Sequence, residues 1–310
     1  MIKIRSLKFY SGEWITLAYV FVTAIFLAFN YNKLNSNFFF WGSRIVTVVL
    51  IVLLANLSRS RDWLYLKAFR QFLPFIILGY WYSETYDFAG YILPNQDAFF
   101  CRADRVLFGF EPSLSFCKHF PQRWFSELMF FGYFSYYIIS IGVPLFFWQR
   151  LKADFNRAIF VILCSFYLFY IIYIILPVGG PQFYFQGSLG ETPPGYFFSY
   201  MVHAIQRFGE KPTGAFPSSH VGISTVLLLL IFFKARKTFW KLLPFYIILV
   251  MSTVYIKAHY LVDVLGGFIS AILFYGISNK LFDALSDRFC DEPYYSENIS
   301  DTSVKRTESR

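Results

Sequence analysis

The run SSHVGISTVLLLLIFFKARK, residues 218–237, carries the pattern that decides the fold of this chain. Its centre is apolar and uncharged, and it ends in the cations Lys234, Arg236 and Lys237. Long apolar stretches with few charges are candidates for membrane-spanning helices, and short cytoplasmic connections carry an excess of Lys and Arg. The run therefore predicts a spanning helix whose Ser218 end faces outward and whose Lys234 end faces the cytoplasm.

Apolar runs of this kind recur along the sequence. Of its 310 residues, 56% are hydrophobic and only 15% are charged, whereas a soluble domain carries about a quarter charged residues. Candidate spans cover residues 14–30, 42–57, 68–82, 127–148, 156–176, 218–233, 239–257 and 262–281. The predicted fold class is all-α, a polytopic integral membrane bundle of about eight transmembrane helices. Arg44 interrupts the second of these spans, and Arg70 and Pro74 interrupt the third.

The net charge of +9 reflects membrane topology, and we expect no nucleic-acid partner. Cations cluster at the N-terminus and at every second short connection. They are Lys3, Arg5 and Lys8, then Arg59, Arg61, Lys67 and Arg70, then Arg150, Lys152 and Arg157, then Lys234, Arg236, Lys237 and Lys241. Both termini are then cytoplasmic. The connections 31–41, 83–126, 177–217 and 258–261 face outward.

A first polar motif, GAFPSSHVG at 214–222, lies at the outward end of the sixth span. Pro217 suits the first position of a helix, where its missing N–H costs nothing. The free N–H groups of Ser218, Ser219 and His220 then form an anion site at the positive end of the helix dipole. The alternative is that His220 is a simple helix cap.

A second motif, STVYIKAHYLVDVLGG at 252–267, ends the seventh span on the same outward side. If the helix continues there, His259 and Asp263 share one face, and Ser252 lies two turns below them. A carboxylate beside an imidazole fixes its tautomer and leaves the other ring nitrogen for a substrate. The alternative is a structural His–Asp hydrogen bond between helices. With His220 on the same side, the pattern predicts a nucleophile and an acid at one membrane face.

The combination Pro-Ser-x-His followed by Ser-x6-His-x3-Asp resembles the type 2 phosphatidic acid phosphatase superfamily. DRVLFGFEP at 104–112, LPVGGPQ at 176–182 and HYLVDVLGG at 259–267 look most like its inositol phosphorylceramide synthase branch. The resemblance implies a six-helix catalytic core. Residues 1–83 would be N-terminal transmembrane helices, 84–282 the catalytic membrane domain and 283–310 a polar cytoplasmic tail.

The resemblance also implies roles for individual residues. His259 would be the nucleophile that forms a phosphohistidine, Asp263 would orient it, and His220 would protonate the leaving group. Ser218, Ser219 and nearby N–H groups would hold phosphate oxygens. It implies neither a metal nor a cofactor.

Two cations of the family's phosphatases are absent from their usual places. Gln182 stands where a basic residue is expected, and Thr253 follows Ser252 where the phosphatases have Arg. Lys211 and Lys257 are the candidates to replace them.

The missing cations bear on the reaction that the protein catalyses. A dianionic monoester needs such cations more than a monoanionic diester does, so we expect a transferase that moves a phosphoryl-headgroup from a phospholipid to a lipid alcohol. A lipid phosphatase that uses water is the alternative, and a proton-relay transporter or an inactive member is a remote one.

Three further expectations concern the surroundings of this site. It faces the extracytoplasmic side, and the short build favours a bacterial inner membrane over a Golgi membrane. The aromatic connection 83–126 would cap the site and exclude water. Cys101 and Cys117 share that connection and form either a disulfide or two free thiols.

Overall fold

The computed structural model describes residues 8–34, 37–60, 63–185, 187 and 191–290. The regular secondary structure in this part of the chain is helical, with no strand. Its helices are α1 Ser11–Phe29, α2 Asn37–Ser60, α3 Leu64–Ile76, α4 Leu78–Asp87, α5 Asp97–Phe108, α6 Pro112–His119, α7 Arg123–Arg150, α8 Lys152–Ile175, α9 Pro181–Tyr184, α10 Phe197–Gly209, α11 Ser219–Lys234, α12 Arg236–Tyr255 and α13 Leu261–Leu285. The all-α fold class is confirmed.

Six of the described helices are long and apolar enough to cross a membrane: α1, α2, α7, α8, α12 and α13. The helix predicted from residues 218–233 is α11, which is apolar but has only 16 residues. At about 1.5 Å per residue it is roughly 24 Å long, against about 30 Å for the hydrocarbon core of a bilayer. The third predicted span is two helices, α3 and α4, which meet at Ile77. Pro74 lies in the last turn of α3, where it removes a backbone donor.

The two arginines that interrupt the predicted spans are buried and paired. The Arg44 guanidinium on α2 donates to both oxygens of Glu84 on α4 at 2.8 and 2.7 Å. Arg70 on α3 donates in the same bidentate way to Glu13 on α1 at 2.8 and 2.7 Å. Paired, hydrogen-bonded charges are the form in which ions are tolerated away from water. The four N-terminal helices are therefore linked by two buried ion pairs.

The centre of the bundle is α8, which is buried along most of its length. It packs against α1, α4, α7, α11 and α13. The N-terminal helices share this core, since Tyr19 of α1 stacks on Tyr167 of α8 with ring centroids 4.4 Å apart. The N-terminal helices and the rest of the bundle thus share one apolar interior.

The predicted outward connections contain short helices. α5 and α6 lie within 83–126, and α9 and α10 lie within 177–217. Cys101 and Cys117 are free thiols there. The Cys101 thiol donates to Glu111 at 3.0 Å, whereas Cys117 lies against the Ser113 carbonyl within α6.

At the opposite end, the beginning of the predicted tail folds back onto the bundle. α13 continues to Leu285, and the Cys290 N–H donates to the Phe9 carbonyl at 2.9 Å. Phe289 packs against Phe160 of α8 and Phe282 of α13. Residues 291–310 lie outside the described part of the chain.

Candidate active site

The N-terminus of α11 forms one wall of the site. Ser218 is the N-cap, and its hydroxyl accepts the Val221 N–H at 3.4 Å. The Ser218 N–H donates to the Asp263 main-chain carbonyl at 3.0 Å, so the start of α11 is tied to the start of α13. The predicted position of Pro217 is therefore corrected, because it precedes the N-cap and does not begin the helix. His220 lies in the first turn.

The two histidines of the sequence motifs meet directly. His220 Nδ1 and His259 Nε2 are 3.3 Å apart, and the ring centroids are 5.4 Å apart at a steep angle. His220 also packs against the rings of Tyr133 and Tyr136 on α7, with centroid distances of 4.6 and 4.4 Å. The start of α11, the segment after α12 and two tyrosines of α7 thus converge on one pair of imidazoles.

The expected continuous helix through His259 is wrong. α12 ends at Tyr255 and α13 begins at Leu261, so His259 lies in the connection between them. Lys257 turns the chain there with a φ of 63°, a left-handed conformation that is uncommon outside glycine. The His259 N–H returns to the Thr253 carbonyl at 3.1 Å and closes the turn.

The orientation of His259 is set by a main-chain carbonyl. Its Nδ1 lies 2.8 Å from the Ala215 carbonyl oxygen, and the Asp263 carboxylate is further away, at 3.7 Å. A carbonyl oxygen only accepts hydrogen bonds, so Nδ1 carries the proton and Nε2 presents a lone pair toward His220. Asp263 accepts the Tyr260 N–H at 2.8 Å, which caps α13 and holds the residue next to His259.

The His259 ring is 3% exposed. Burial lowers the pKa of His259 to about 4, against the opposing effects of the Ala215 carbonyl and of the charge on Glu210. The imidazole is therefore neutral at pH 7, and a neutral imidazole is the form that can attack phosphorus.

A cavity of about 290 Å³ opens beside the two histidines. Of the residues proposed from the sequence, His220, His259, Ser219, Lys211 and Gln182 line it. Its other walls are largely tyrosine: Tyr82, Tyr133, Tyr136, Tyr137 and Tyr170.

The remaining residues proposed from the sequence lie behind this wall. Ser218 and Asp263 serve as helix caps. Ser252 is fully buried, and its hydroxyl donates to the Leu249 carbonyl within α12. The Lys257 ammonium donates to the Glu191 carbonyl, so it is held by the 177–217 connection. These side chains shape the site without lining the cavity.

The connection 83–126 supports the site from behind and does not cap it as expected. None of its residues is among those that line the cavity in the described part of the chain, whereas Ile205 and Glu210 of the 177–217 connection are. Phe100 of α5 instead packs on Phe216, with ring centroids 4.4 Å apart.

Two buried carboxylates on α5 hold the backbone around His259. Asp97 accepts the N–H groups of Gly179 and Gly180, both at 2.8 Å, and the Tyr260 hydroxyl at 3.1 Å. Asp104 accepts the N–H groups of Leu261 and Val262, both at 2.9 Å, and so caps α13 from outside. Burial raises the pKa of Asp104, and these two hydrogen bonds oppose that rise.

Glycine at position 180 allows the close approach of the two outer connections. Its φ is 93°, and a Cβ there would lie 2.5 Å from the Ala258 carbonyl oxygen. The Gln182 N–H donates to the Lys257 carbonyl at 2.9 Å. LPVGGPQ thus lies directly against the segment that carries His259.

Glu210 is a cavity residue that the sequence did not single out. Its carboxylate accepts the Tyr133 hydroxyl at 2.5 Å, the Gln182 amide at 2.6 Å and the Gln206 amide at 3.2 Å. In the sequence, the one feature that could have pointed to Glu210 as a site residue is that it adjoins Lys211 in the 177–217 connection.

The sequence model of the PAP2 superfamily matches residues 99–277, more than half of the chain. No curated protein and no solved structure matches the chain. The matched region runs from α5 to α13 and contains both histidines and all the residues that line the cavity except Gly79 and Tyr82. The chain therefore belongs to the PAP2 superfamily of lipid phosphatases and phosphotransferases, the type 2 phosphatidic acid phosphatases.

Proposed function

We propose that this protein is a metal-independent lipid phosphotransferase that works through a phosphohistidine on His259. The observation that carries the proposal is the neutral, buried His259, whose Nε2 faces His220 across a tyrosine-lined cavity. The donor is a phospholipid and the acceptor is a lipid alcohol such as ceramide. An inositol-phosphate headgroup follows from the resemblance of residues 104–112, 176–182 and 259–267 to that branch of the family.

The reaction has two balanced steps. His259 Nε2 attacks phosphorus, the bond to the lipid oxygen breaks, and His220 gives that oxygen a proton. The acceptor hydroxyl then attacks phosphorus, His220 takes back the proton, and the bond to His259 breaks. Because the two nitrogens are 3.3 Å apart before substrate binds, the phosphoryl group must separate the rings as it enters.

The charge of the cavity favours a diester over a monoester. Lys211 is the one Lys or Arg among the lining residues in the described ranges, and Glu210 lies beside it. A phosphate monoester carries close to two negative charges at pH 7, whereas a diester carries one. One cation opposite one carboxylate suits the smaller charge.

The direct test is a comparison of two rates in vesicles that contain the purified protein. One is headgroup transfer from labelled phosphatidylinositol to a fluorescent ceramide, and the other is phosphate release from phosphatidic acid. We expect transfer to be the faster reaction. Rapid phosphate release without transfer would show that the protein is a lipid phosphatase.

Two substitutions test the assignment of roles. His259→Ala should abolish both turnover and trapping of the labelled headgroup on the protein, because no covalent route remains. His220→Ala should slow turnover by about 10²–10⁴-fold, the usual contribution of general acid–base catalysis. Ser115→Ala alters an outer-face hydroxyl that bonds His119 and lines no part of the cavity, so it is the control. Near-normal turnover in either histidine variant would contradict the mechanism.

A further inference from the structure

We propose that Glu210 is a specificity-determining residue that excludes dianionic phosphate monoesters from the cavity by charge repulsion. This inference rests on the proposed function, because it explains how the site selects a phosphodiester donor. The residue touches the cavity and belongs to none of the motifs that define the site from sequence.

The contacts of Glu210 hold its carboxylate in place. The Tyr133 hydroxyl and the Gln182 and Gln206 amides all donate to its two carboxylate oxygens. Amide nitrogens only donate, so both carboxylate oxygens act as acceptors. Glu210 therefore places a fixed negative charge at the cavity wall.

That charge lies close to the reacting groups. Tyr133 hydrogen-bonds Glu210 at 2.5 Å, and its ring packs on His220 with a centroid distance of 4.6 Å. Glu210 is also among the groups whose charge acts on His259. A phosphoryl group between the two histidines is thus separated from the carboxylate by about one tyrosine ring.

Repulsion from such a charge distinguishes phosphate monoesters from phosphodiesters, because a monoester carries more negative charge. In a partly buried site, charge–charge energies exceed those in water several-fold. An added negative charge on the substrate is therefore repelled by Glu210, and the neighbouring Lys211 offsets only part of this repulsion. Selection of this kind works by rejecting the wrong substrate as well as by holding the right one.

The arrangement also gives Gln182 a different role from the one expected. Its amide donates to Glu210, and its carbonyl oxygen accepts from Gln206 at 3.2 Å. It therefore holds the carboxylate in place, at the position where a basic residue was expected to hold phosphate.

The test is equilibrium binding of a matched pair of ligands, dodecyl phosphate and dodecyl methyl phosphate. They differ by one methyl group and, at pH 8, by about one charge. Affinity is measured by ligand-induced thermal stabilisation of the purified protein in detergent. We expect Glu210→Gln to tighten dodecyl phosphate binding about tenfold or more and to change dodecyl methyl phosphate binding by less than about threefold.

Two further variants complete the design. Glu210→Asp keeps the charge while it alters the contacts, so the ratio of the two affinities should stay as in the unaltered protein. Asp287→Asn removes a carboxylate from an exposed position just after α13 that does not line the cavity, and it should change neither affinity.

An equal change for both ligands in Glu210→Gln, or no change, would overturn the proposal. So would a ratio in Glu210→Asp that matches Glu210→Gln. Because the readout is binding, it is separate from the turnover test. Phosphate release without headgroup transfer would refute the proposed transferase. The effect of Glu210→Gln on the ratio of the two affinities would still show whether Glu210 repels dianionic ligands.

Discussion

His259 combines burial, a fixed tautomer and a lone pair directed at His220 in one side chain. Ala215 provides the acceptor for Nδ1–H, and the fold of the 256–260 connection directs Nε2 toward His220. A solvent-exposed histidine titrates near pH 6.5 and would be partly protonated under mildly acidic conditions. The site avoids that loss of nucleophile by excluding water from the ring.

This burial predicts an unusual acid limit for activity. The pKa of His259 is lowered to about 4, so the nucleophile is lost only as the pH falls through that value. We expect the acid limb of kcat/KM for headgroup transfer to have a midpoint well below 6.5, measured between pH 4 and 8. Phosphodiester substrates stay monoanionic over this range, so substrate titration does not distort the profile. A midpoint at 6.5 would mean that His259 is hydrated in the working enzyme.

The sequence predicted which side chains meet but not how they are held. Alternation of cationic connections placed His220 and His259 on one side, and the structure brings them together. The break at 256–260 was not predicted because it contains no glycine or proline and depends on Lys257 in a left-handed conformation. Asp97 and Glu210 were not singled out because their partners are 82 and 77 residues away in the chain.

Helix ends and connections, more than helix faces, build this site. α11 begins beside His220, α13 begins just after His259, and α5 supplies Asp97 and Asp104 as caps for the neighbouring backbone. A helix N-terminus leaves several N–H groups without partners, so side-chain carboxylates stabilise it. The relative positions of His220 and His259 therefore depend on how closely the connections around them pack.

Gly180→Ala tests that dependence with a matched control. At position 180 the added methyl would lie 2.5 Å from the Ala258 carbonyl, and the φ is 93°. At Gly90 the φ is a similar 86°, and no atom lies within 4 Å of the added Cβ. Both variants place a side chain at a positive φ, which costs about 1 kcal/mol or more. At Gly180 the ψ is 166°, a region that is almost restricted to glycine. Only Gly180→Ala also displaces the segment that carries His259.

We expect Gly90→Ala to retain most of its turnover and Gly180→Ala to lose at least tenfold in kcat, since small misplacements of reacting groups carry large costs. Thermal unfolding in detergent separates this loss from general instability. Equal kcat values for the two variants would show that the 179–182 connection does not position His259.

Two ion pairs mark the end of the bundle that lies opposite the cavity. Lys234 pairs with Asp154 at 2.5 Å, and Arg157 pairs with Asp283 at 2.5 Å, all at the end of the bundle opposite the cavity. From the positive-inside rule we expect that end to face the cytoplasm. The two buried Arg–Glu pairs keep α1 to α4 on the same core, so the N-terminal helices share this orientation.

This orientation predicts the accessibility of single cysteines. The four native cysteines in the described chain are buried, which gives a low background. Gln122→Cys, at the exposed start of α7 on the cavity side, should react with an impermeant maleimide in intact cells. Lys237→Cys, at the exposed first turn of α12, should react only after permeabilisation. The reverse pattern would place the active site in the cytoplasm.

The short α11 has a consequence for how the enzyme meets its substrates. If its cytoplasmic end lies at the inner edge of the hydrocarbon core, its roughly 24 Å of length leave His220 several ångströms below the outer edge. Lipids then need not leave the bilayer to react, because they arrive by lateral diffusion. The rate should therefore follow the mole fraction of donor in the surface. Adding inert lipid or detergent at constant donor concentration should slow the reaction by two-dimensional dilution alone.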